Sequence, residues 1–326
     1  MSLNDIGFYT LSDNRAKRIA SESFVGIPHS RCELILTDKC NFKCPYCRGI
    51  RADCSGEMPF DDAVKILDSW IDSRLINVRF SGGEPMLYPH LDMLVRVCAT
   101  GGMKRIAVST NGSADLFDYK FLIRSGVNDF SISLDACCSM MGEKMNGNAQ
   151  LWNKTVNNIR ELSKLTYVTV GMVFDENNVA DAKKAVEFAH SLGVADIRVI
   201  SSAQYNKALS SLMELDDGIL QSHPILNYRI SNFKSNRNVR GIQETDCGRC
   251  SLVMDDMAVA GDYHFPCIIY LREGGKPIGK TNGDVVSDRR AWSITHNSHQ
   301  DRICRENCLD VCIDHNNTVN KYRGLK

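Results

Sequence analysis

The chain has 326 residues, 43% of them apolar, with 39 basic and 39 acidic side chains. That length suits one large α/β domain with an appendage, or two ordinary domains, and the balanced charge argues against bulk attraction to nucleic acid or to an anionic membrane. No stretch approaches the roughly 18 uninterrupted apolar residues of a membrane span. Fourteen cysteines are the compositional outlier. The opening Met1-Ser2-Leu3-Asn4-Asp5 has neither the basic flank nor the apolar run of a secretory leader. Reduced, metal-bound thiols in the cytoplasm are therefore expected, rather than disulfides.

Residues 1–31 form an N-terminal extension without an informative pattern. From there to about residue 220 the period alternates. Short β-branched runs occupy 32–37, 77–81, 105–110, 129–134, 167–174 and 196–201. Amphipathic stretches lie near 60–73, 90–100, 118–125, 150–165 and 180–192. Gly126 and Gly193 each follow a helical run as C-caps, and Asp61 and Asp62 suit the first turn of their helix. Six strands alternating with helices predict an α/β fold, a partial (β/α)6 TIM-like barrel, with a doubly wound sheet as the alternative. Residues 221–245 are polar and read as a linker or crossing. Residues 246–326 hold six cysteines, with strand-like runs at 257–260 and 267–271, and read as a small iron–sulfur module.

Cys40, Cys44 and Cys47 sit in the loop after the first strand, at the end where parallel barrels build active sites. Four thiolates fill an iron–sulfur cube, so three leave one iron open to a ligand. The x3/x2 spacing differs from ferredoxin runs and from zinc ribbons; a structural zinc site with a distant fourth ligand is the alternative. Three further segments end the next three strands in order: Ser81-Gly82-Gly83-Glu84-Pro85, Ser109-Thr110-Asn111-Gly112 and Ser131-Ile132-Ser133-Leu134-Asp135-Ala136.

Together with Tyr46 before the last cysteine, this series resembles the radical SAM superfamily over roughly residues 32–202. The resemblance implies a [4Fe–4S] cluster on Cys40, Cys44 and Cys47 whose open iron chelates S-adenosylmethionine (SAM). It also implies SAM contacts from Tyr46, Gly82, Gly83, Glu84, Pro85, Ser109, Asn111, Ser133 and Asp135. Paired glycines admit close backbone approach, a carboxylate accepts from an ammonium, and hydroxyls suit a diol. Where many relatives carry Arg-Gly after the fourth strand, this chain has Lys144-Met145-Asn146-Gly147. Lys144 keeps the charge without the planar fork of arginine.

The run Cys247-x2-Cys250, then Gly261-Asp262-Tyr263-His264-Phe265-Pro266-Cys267, resembles the SPASM/Twitch extensions of that superfamily, which bind auxiliary [4Fe–4S] clusters. Two complete clusters need eight thiolates and six are present, so one auxiliary cluster is expected. The resemblance assigns it Cys247, Cys250, Cys267 and Cys312, with Cys304 and Cys308 as alternates; a zinc site is the other reading. Cys32 and Cys98 read as small hydrophobes. Cys54, Cys137 and Cys138 are candidate hydrogen-atom donors at the barrel mouth, with incidental loop cysteines as the plainer alternative. His315 reads as a surface histidine, or as a supporting group beside a metal ligand.

The resemblance implies a radical SAM enzyme in which one electron from a reductant such as flavodoxin or ferredoxin cleaves SAM. The resulting 5′-deoxyadenosyl radical abstracts a hydrogen atom from a substrate. A peptide to be oxidised, crosslinked or epimerised is favoured over a small polar, sugar-like metabolite. The roughly 30 residues before the first strand are too few for a separate peptide-recognition domain, which weighs against a peptide. A molybdopterin-type GTP cyclase is a third possibility, against which stands an end, Gly324-Leu325-Lys326, without that family's terminal Gly-Gly. The non-enzymatic alternative is an iron–sulfur or zinc sensor or scaffold.

Overall fold

The structure, a computed structural model, describes residues 13–21 and 30–324. The remainder of the expected N-terminal extension and the last two residues lie outside the described residues. After α1 (Asp13–Ala20), six strands run in parallel: β1 (Arg31–Thr37), β2 (Asn77–Gly82), β3 (Arg105–Thr110), β4 (Asp129–Ser133), β5 (Tyr167–Phe174) and β6 (Asp196–Ser201). Between them come α2 (Phe60–Asp72), α3 (Leu91–Thr100), α4 (Leu116–Ser125), the pair α5 (Ser139–Asn146) and α6 (Ala149–Leu162), and, after β5, α7 (Ala182–Ser191).

The spatial order β6-β5-β4-β3-β2-β1 never reverses. A doubly wound sheet needs a reversal, so this is the partial barrel and the alternative falls. Alternate residues face opposite sides. Leu34, Phe80, Val108, Phe130, Val170 and Val199 join the main apolar core beneath the helices. On the other face, buried polar groups pair across strands. Ser81 Oγ donates to Glu33 at 2.5 Å, Arg79 to Ser109 Oγ at 2.9 Å, Arg105 to Asp129 at 3.1 Å and Arg198 to Ser131 Oγ at 3.3 Å. Gly126 and Gly193 cap α4 and α7 at positive φ, as their position in the sequence implies.

The cysteine-rich segment is built into the same sheet. β7 (Asp256–Ala260) pairs in parallel with β1, and β8 (Tyr263–Phe265) and β9 (Gly279–Lys280) follow antiparallel. The polar stretch 221–245, read as a linker or crossing, contains a whole helix. α8 (Asp217–Ser222) leads into α9 (Pro224–Lys234), whose Leu226, Ile230 and Phe233 are buried. Three apolar residues at i, i+4 and i+7 suffice to dock it, and the polar background hid that stripe. The run 267–271 read as strand-like is helical instead, α10 (Ile268–Arg272), where Cys267 Sγ accepts the Tyr270 N–H at 3.4 Å as a cap. α11 (Val285–Thr295), α12 (Arg302–Asn307) and α13 (Asp310–Tyr322) complete the fold. Ala16 and Ile19 of α1 pack with Val253, Met254 and Val319. His315 is buried, not exposed, and lies 3.4 Å from Asp255, which also takes Ser30 Oγ and Arg15. No helix among the described residues is long and apolar enough to cross a membrane.

Two outcomes follow for α9. Phe233→Ala should lower unfolding free energy by about 3–5 kcal/mol, since a fully packed ring is removed; urea denaturation giving under about 1 kcal/mol would return the segment to linker status. Asp196, at the start of β6, accepts from the Ile225 and Ile197 N–H groups, yet burial pushes its carboxyl up to about 6. Between about pH 4 and pH 6 the folded chain then holds a proton that the unfolded chain has released, so this group's contribution to stability falls as pH rises through that window. Asp196→Asn should therefore gain on the wild type by up to about 3 kcal/mol between about pH 4 and pH 7. A pH-independent difference would contradict this.

Candidate active site

At the C-terminal end of β1 the register shifts between Ile35 and Thr37, a bulge that re-aims the chain before the cysteine loop. The loop is pinned at both ends: Asp38 N–H donates to Gly56 O at 3.2 Å, Gly56 N–H to Asp38 Oδ2 at 2.8 Å, and Met58 N–H to Leu36 O at 2.9 Å. Within it Phe42 N–H donates to Cys40 Sγ, and Gly49 N–H to Cys47 Sγ, each at 3.4 Å. N–H donors favour a thiolate. Burial pushes the Cys44 thiol up to about 12, so a metal rather than bulk pH would deprotonate it. Cys40, Cys44 and Cys47 line one cavity with Gly82, Gly83, Ser109, Asn111, Ser133 and Asp135, and no fourth cysteine lines it. Three cysteines lining one cavity, with N–H donors already on two of their sulfurs, fit a cluster with one iron left open.

The two glycines serve the protein before any ligand. A Cβ on Gly82 would lie 2.3 Å from Thr37 O, and one on Gly83 would lie 2.2 Å from Lys39 O. The backbones interlock there: Gly83 N–H donates to Thr37 O and Glu84 N–H to Lys39 O, both at 2.7 Å. Glu84 is buried, and its carboxylate accepts from Met86 N–H, Thr110 Oγ1 and Asn111 N–H at 3.0, 2.7 and 2.6 Å. Glu84 thus ties the second segment to the third, and neither it nor Pro85 lines the cavity. Asn111 Nδ2 reaches Asn41 Oδ1 at 2.7 Å and Cys40 Sγ at 4.0 Å. Asp135 accepts from the Tyr46 hydroxyl and, at 2.7 Å, from Val173 N–H; burial pushes its carboxyl up to about 6. Each segment named from sequence is thereby bound to the cysteine loop or to its neighbour.

Other expected residues lie elsewhere. Lys144 is exposed on α5, and its neighbours Met145 and Asn146 line the cavity in its place. Cys54 is buried with Ile35, Ala258, Ala260, Phe265 and Leu271, so its thiol sits in an apolar cluster away from the mouth. Cys137 and Cys138 follow the lining residue Ala136 without lining the cavity themselves. Among the lining residues that escaped the sequence reading are Trp152; Glu33, a lone acid inside an apolar strand; and Arg272, from the distant C-terminal segment. Glu33 could have been found as a charge in a fully buried strand; nothing local marked Arg272.

The second cysteine set is gathered by α10, α12, α13 and the turn before β7. Burial first, and neighbouring thiols after it, push up Cys250 (to about 11), Cys267 and Cys304. Cys308 is raised by its bond to Cys312, then by burial. The Cys247 sulfur accepts the Arg249 N–H at 3.4 Å and lies 3.3 Å from the Arg249 carbonyl. Arg289, fully buried, donates to the carbonyls of Val253, Asp256, Phe265 and Pro266 and so fixes the chain entering Cys267.

A partial parallel barrel whose C-terminal edge gathers three cysteines, a glycine turn and polar strand ends defines a radical SAM domain. Residues 34–189 match the Radical SAM superfamily model, so this part of the chain is a radical SAM domain. The chain is 27% identical over 193 residues to a GTP 3′,8-cyclase of Staphylococcus saprophyticus subsp. saprophyticus, 56% of this chain and 52% of that one. It is 30% identical over 123 residues to the GTP 3′,8-cyclase of Vibrio vulnificus, 35% and 36% of the two chains. The chain thus spans about half the length, or less, of the curated relatives it matches. In fold it resembles Streptococcus suis SuiB bound to precursor peptide SuiA, with a TM-score of 0.60 at 16% identity over 90% of this chain and 72% of that one. It also resembles anSMEcpe with bound AdoMet and Cp18Cys peptide, with a TM-score of 0.54 at 14% identity over 90% and 96%.

Gly83→Ala should displace the cysteine loop, because the new Cβ meets main chain that cannot yield. Iron per chain after anaerobic reconstitution is expected to fall by about four, one cube. Full iron uptake by this variant would mean the interlock does not hold the loop.

Proposed function

We propose that the chain cleaves SAM reductively and uses the product to modify a peptide. The observation carrying this is the single cavity onto which Cys40, Cys44 and Cys47 open together with the three strand-end segments. When bound, the cluster and SAM together supply, with one electron from a flavodoxin- or ferredoxin-type donor, methionine and a 5′-deoxyadenosyl radical that takes a hydrogen atom from the substrate. The chain's own residues position and exclude. The Gly82-Gly83 turn and Asn111 fix the loop carrying the sulfurs, Ser133 and Asp135 present polar groups along the wall, and Trp152 and Met145 close it with apolar surface. Tyr46 and Val173 hold Asp135 in one orientation.

Cys247, Cys250, Cys267 and Cys312 would hold an auxiliary [4Fe–4S] cluster, with Cys304 and Cys308 as alternates; the Arg249 N–H donates to the Cys247 sulfur as N–H groups do at Cys40 and Cys47. Such a cluster suits acceptance of an electron from the substrate radical. A peptide substrate is supported by fold likeness that extends through the C-terminal segment to proteins solved with peptides. The second reading, GTP cyclisation, is favoured by the sequence relatives, whose likeness spans 56% of this chain or less.

The test is 5′-deoxyadenosine release by the anaerobically reconstituted chain with SAM and reductant. Release is expected from the wild type, and a loss of at least about 100-fold from Cys40→Ala, since a cluster lacking a ligand cannot hold its open iron in place. Release with intact clusters that rises with GTP and not with peptides encoded beside the gene would favour the second reading. No release from a chain holding about eight irons, two cubes, would sink both.

A further inference from the structure

Residues 265–275 grip the loop that carries the SAM-binding cysteines. Glu273 pairs with Arg48, and the Gly275 carbonyl accepts from Arg51. Arg51 also lies over the Phe265 ring, 5.7 Å from its centroid. Arg272 reaches furthest. One guanidinium nitrogen donates to Gly49 O at 2.7 Å, two residues past Cys47, and the other to Gly82 O at 2.8 Å, in the glycine turn. The same group lines the cavity; burial pushes its pKa down, and Glu33, Cys47 and Cys40 act in the opposite direction. Among the described lining residues it is the one arginine or lysine. Arg272 ends a helix whose cap is Cys267, five residues earlier.

We propose that Arg272 is a positioning residue for the SAM-binding cluster, supplied by the C-terminal segment, that clamps both walls of the site and holds a fixed positive charge beside Cys40 and Cys47. The physical grounds are two. A planar fork places two separate nitrogens on carbonyls of separate segments at once, a span that the single ammonium nitrogen of a lysine does not offer. An iron–sulfur cluster gains negative charge on reduction, and its potential follows the surrounding charge and hydrogen bonds. Arg272 therefore favours the reduced cluster and keeps the loop in register with the glycine turn. Because α10 begins at Cys267, the assembly of the C-terminal cysteine site is mechanically linked to the SAM site through one short helix.

The proposal rests on SAM binding at the three-cysteine cluster, and the experiment separates the two. The reconstituted full chain and its Arg272→Gln and Arg272→Lys variants are titrated with SAM at equilibrium, and the reduced-cluster electron paramagnetic resonance signal is measured at one fixed solution potential. Arg272→Gln should bind SAM about tenfold more weakly and give a several-fold smaller reduced signal, magnitudes in the range for groups supporting metal ligands. Arg272→Lys should recover the signal, since the charge returns, and not the affinity, since one carbonyl stays unpaired. Wild-type affinity and wild-type signal in Arg272→Gln would overturn the assignment. Should Arg272→Gln fail to take up iron, Arg272→Lys decides: wild-type SAM affinity in that variant overturns the clamp. If the wild type itself binds no SAM, the reading of the site fails, while the signal at fixed potential still tests the charge.

Discussion

The site depends on a backbone interlock. The glycine turn after β2 donates through Gly83 and Glu84 to the carbonyls of Thr37 and Lys39, at the root of the cysteine loop. At that separation neither glycine has room for a Cβ. Cys40 lies one residue beyond Lys39, so the position of the first sulfur follows from main-chain hydrogen bonds rather than from its own surroundings. Main-chain bonds of this kind are short, directional and shielded from water, and lose little on thermal motion of side chains. Glu84 and Asn111 then propagate the fix to β3, and Tyr46 with Asp135 to β4. The loop is thus fastened in order to three strands.

This arrangement changes what the strand-end segments are for. Read as residue types, glycines next to a carboxylate point to a ligand's ammonium. In the folded chain the Glu84 carboxylate already accepts three hydrogen bonds from the protein and sits behind the cavity wall. Its burial raises its pKa, and the three donors offset part of that by favouring the ionised form. The motif shapes the loop that carries the three cysteines.

The barrel and the position of the first site were legible in the sequence because both follow from periodicity and from residues close together in the chain. Six β-branched runs alternate with helices, and the Cys40–Cys47 cluster and the three segments each end a strand. What was not legible depended on distant contacts. Arg272 lies more than 220 residues from Gly49 in sequence, and the run before it looked like a strand because Ile268, Ile269, Tyr270 and Leu271 make a short apolar stretch rich in β-branched and aromatic residues. The helix forms because the Cys267 sulfur caps it. Lys144 was singled out as a cation where many relatives carry Arg-Gly, and the turn of α5 leaves it in solvent. The pairing of β7 with β1 could not be anticipated from a segment that reads as a separate module: a strand of five buried residues finds an unpaired parallel edge only once the barrel exists.

That pairing bears on how the two cysteine sites relate. Because β7 continues the sheet beside β1, the strand that delivers Cys40 and the strand that leads toward Cys267 are hydrogen-bonded neighbours. Asp255 and Asp256 tie the same edge to Arg15, Arg31 and His315, and Arg289 holds the carbonyls on either side of β8. Buried charges in such a network must stay paired, since a lone one would be strongly destabilising. The two sites therefore share one rigid edge of one sheet. Movement of one relative to the other would break parallel strand bonds and several buried ion pairs together. Any exchange between them, of electrons or of substrate, is consequently expected to run across a fixed separation, not to wait on a closing motion between domains.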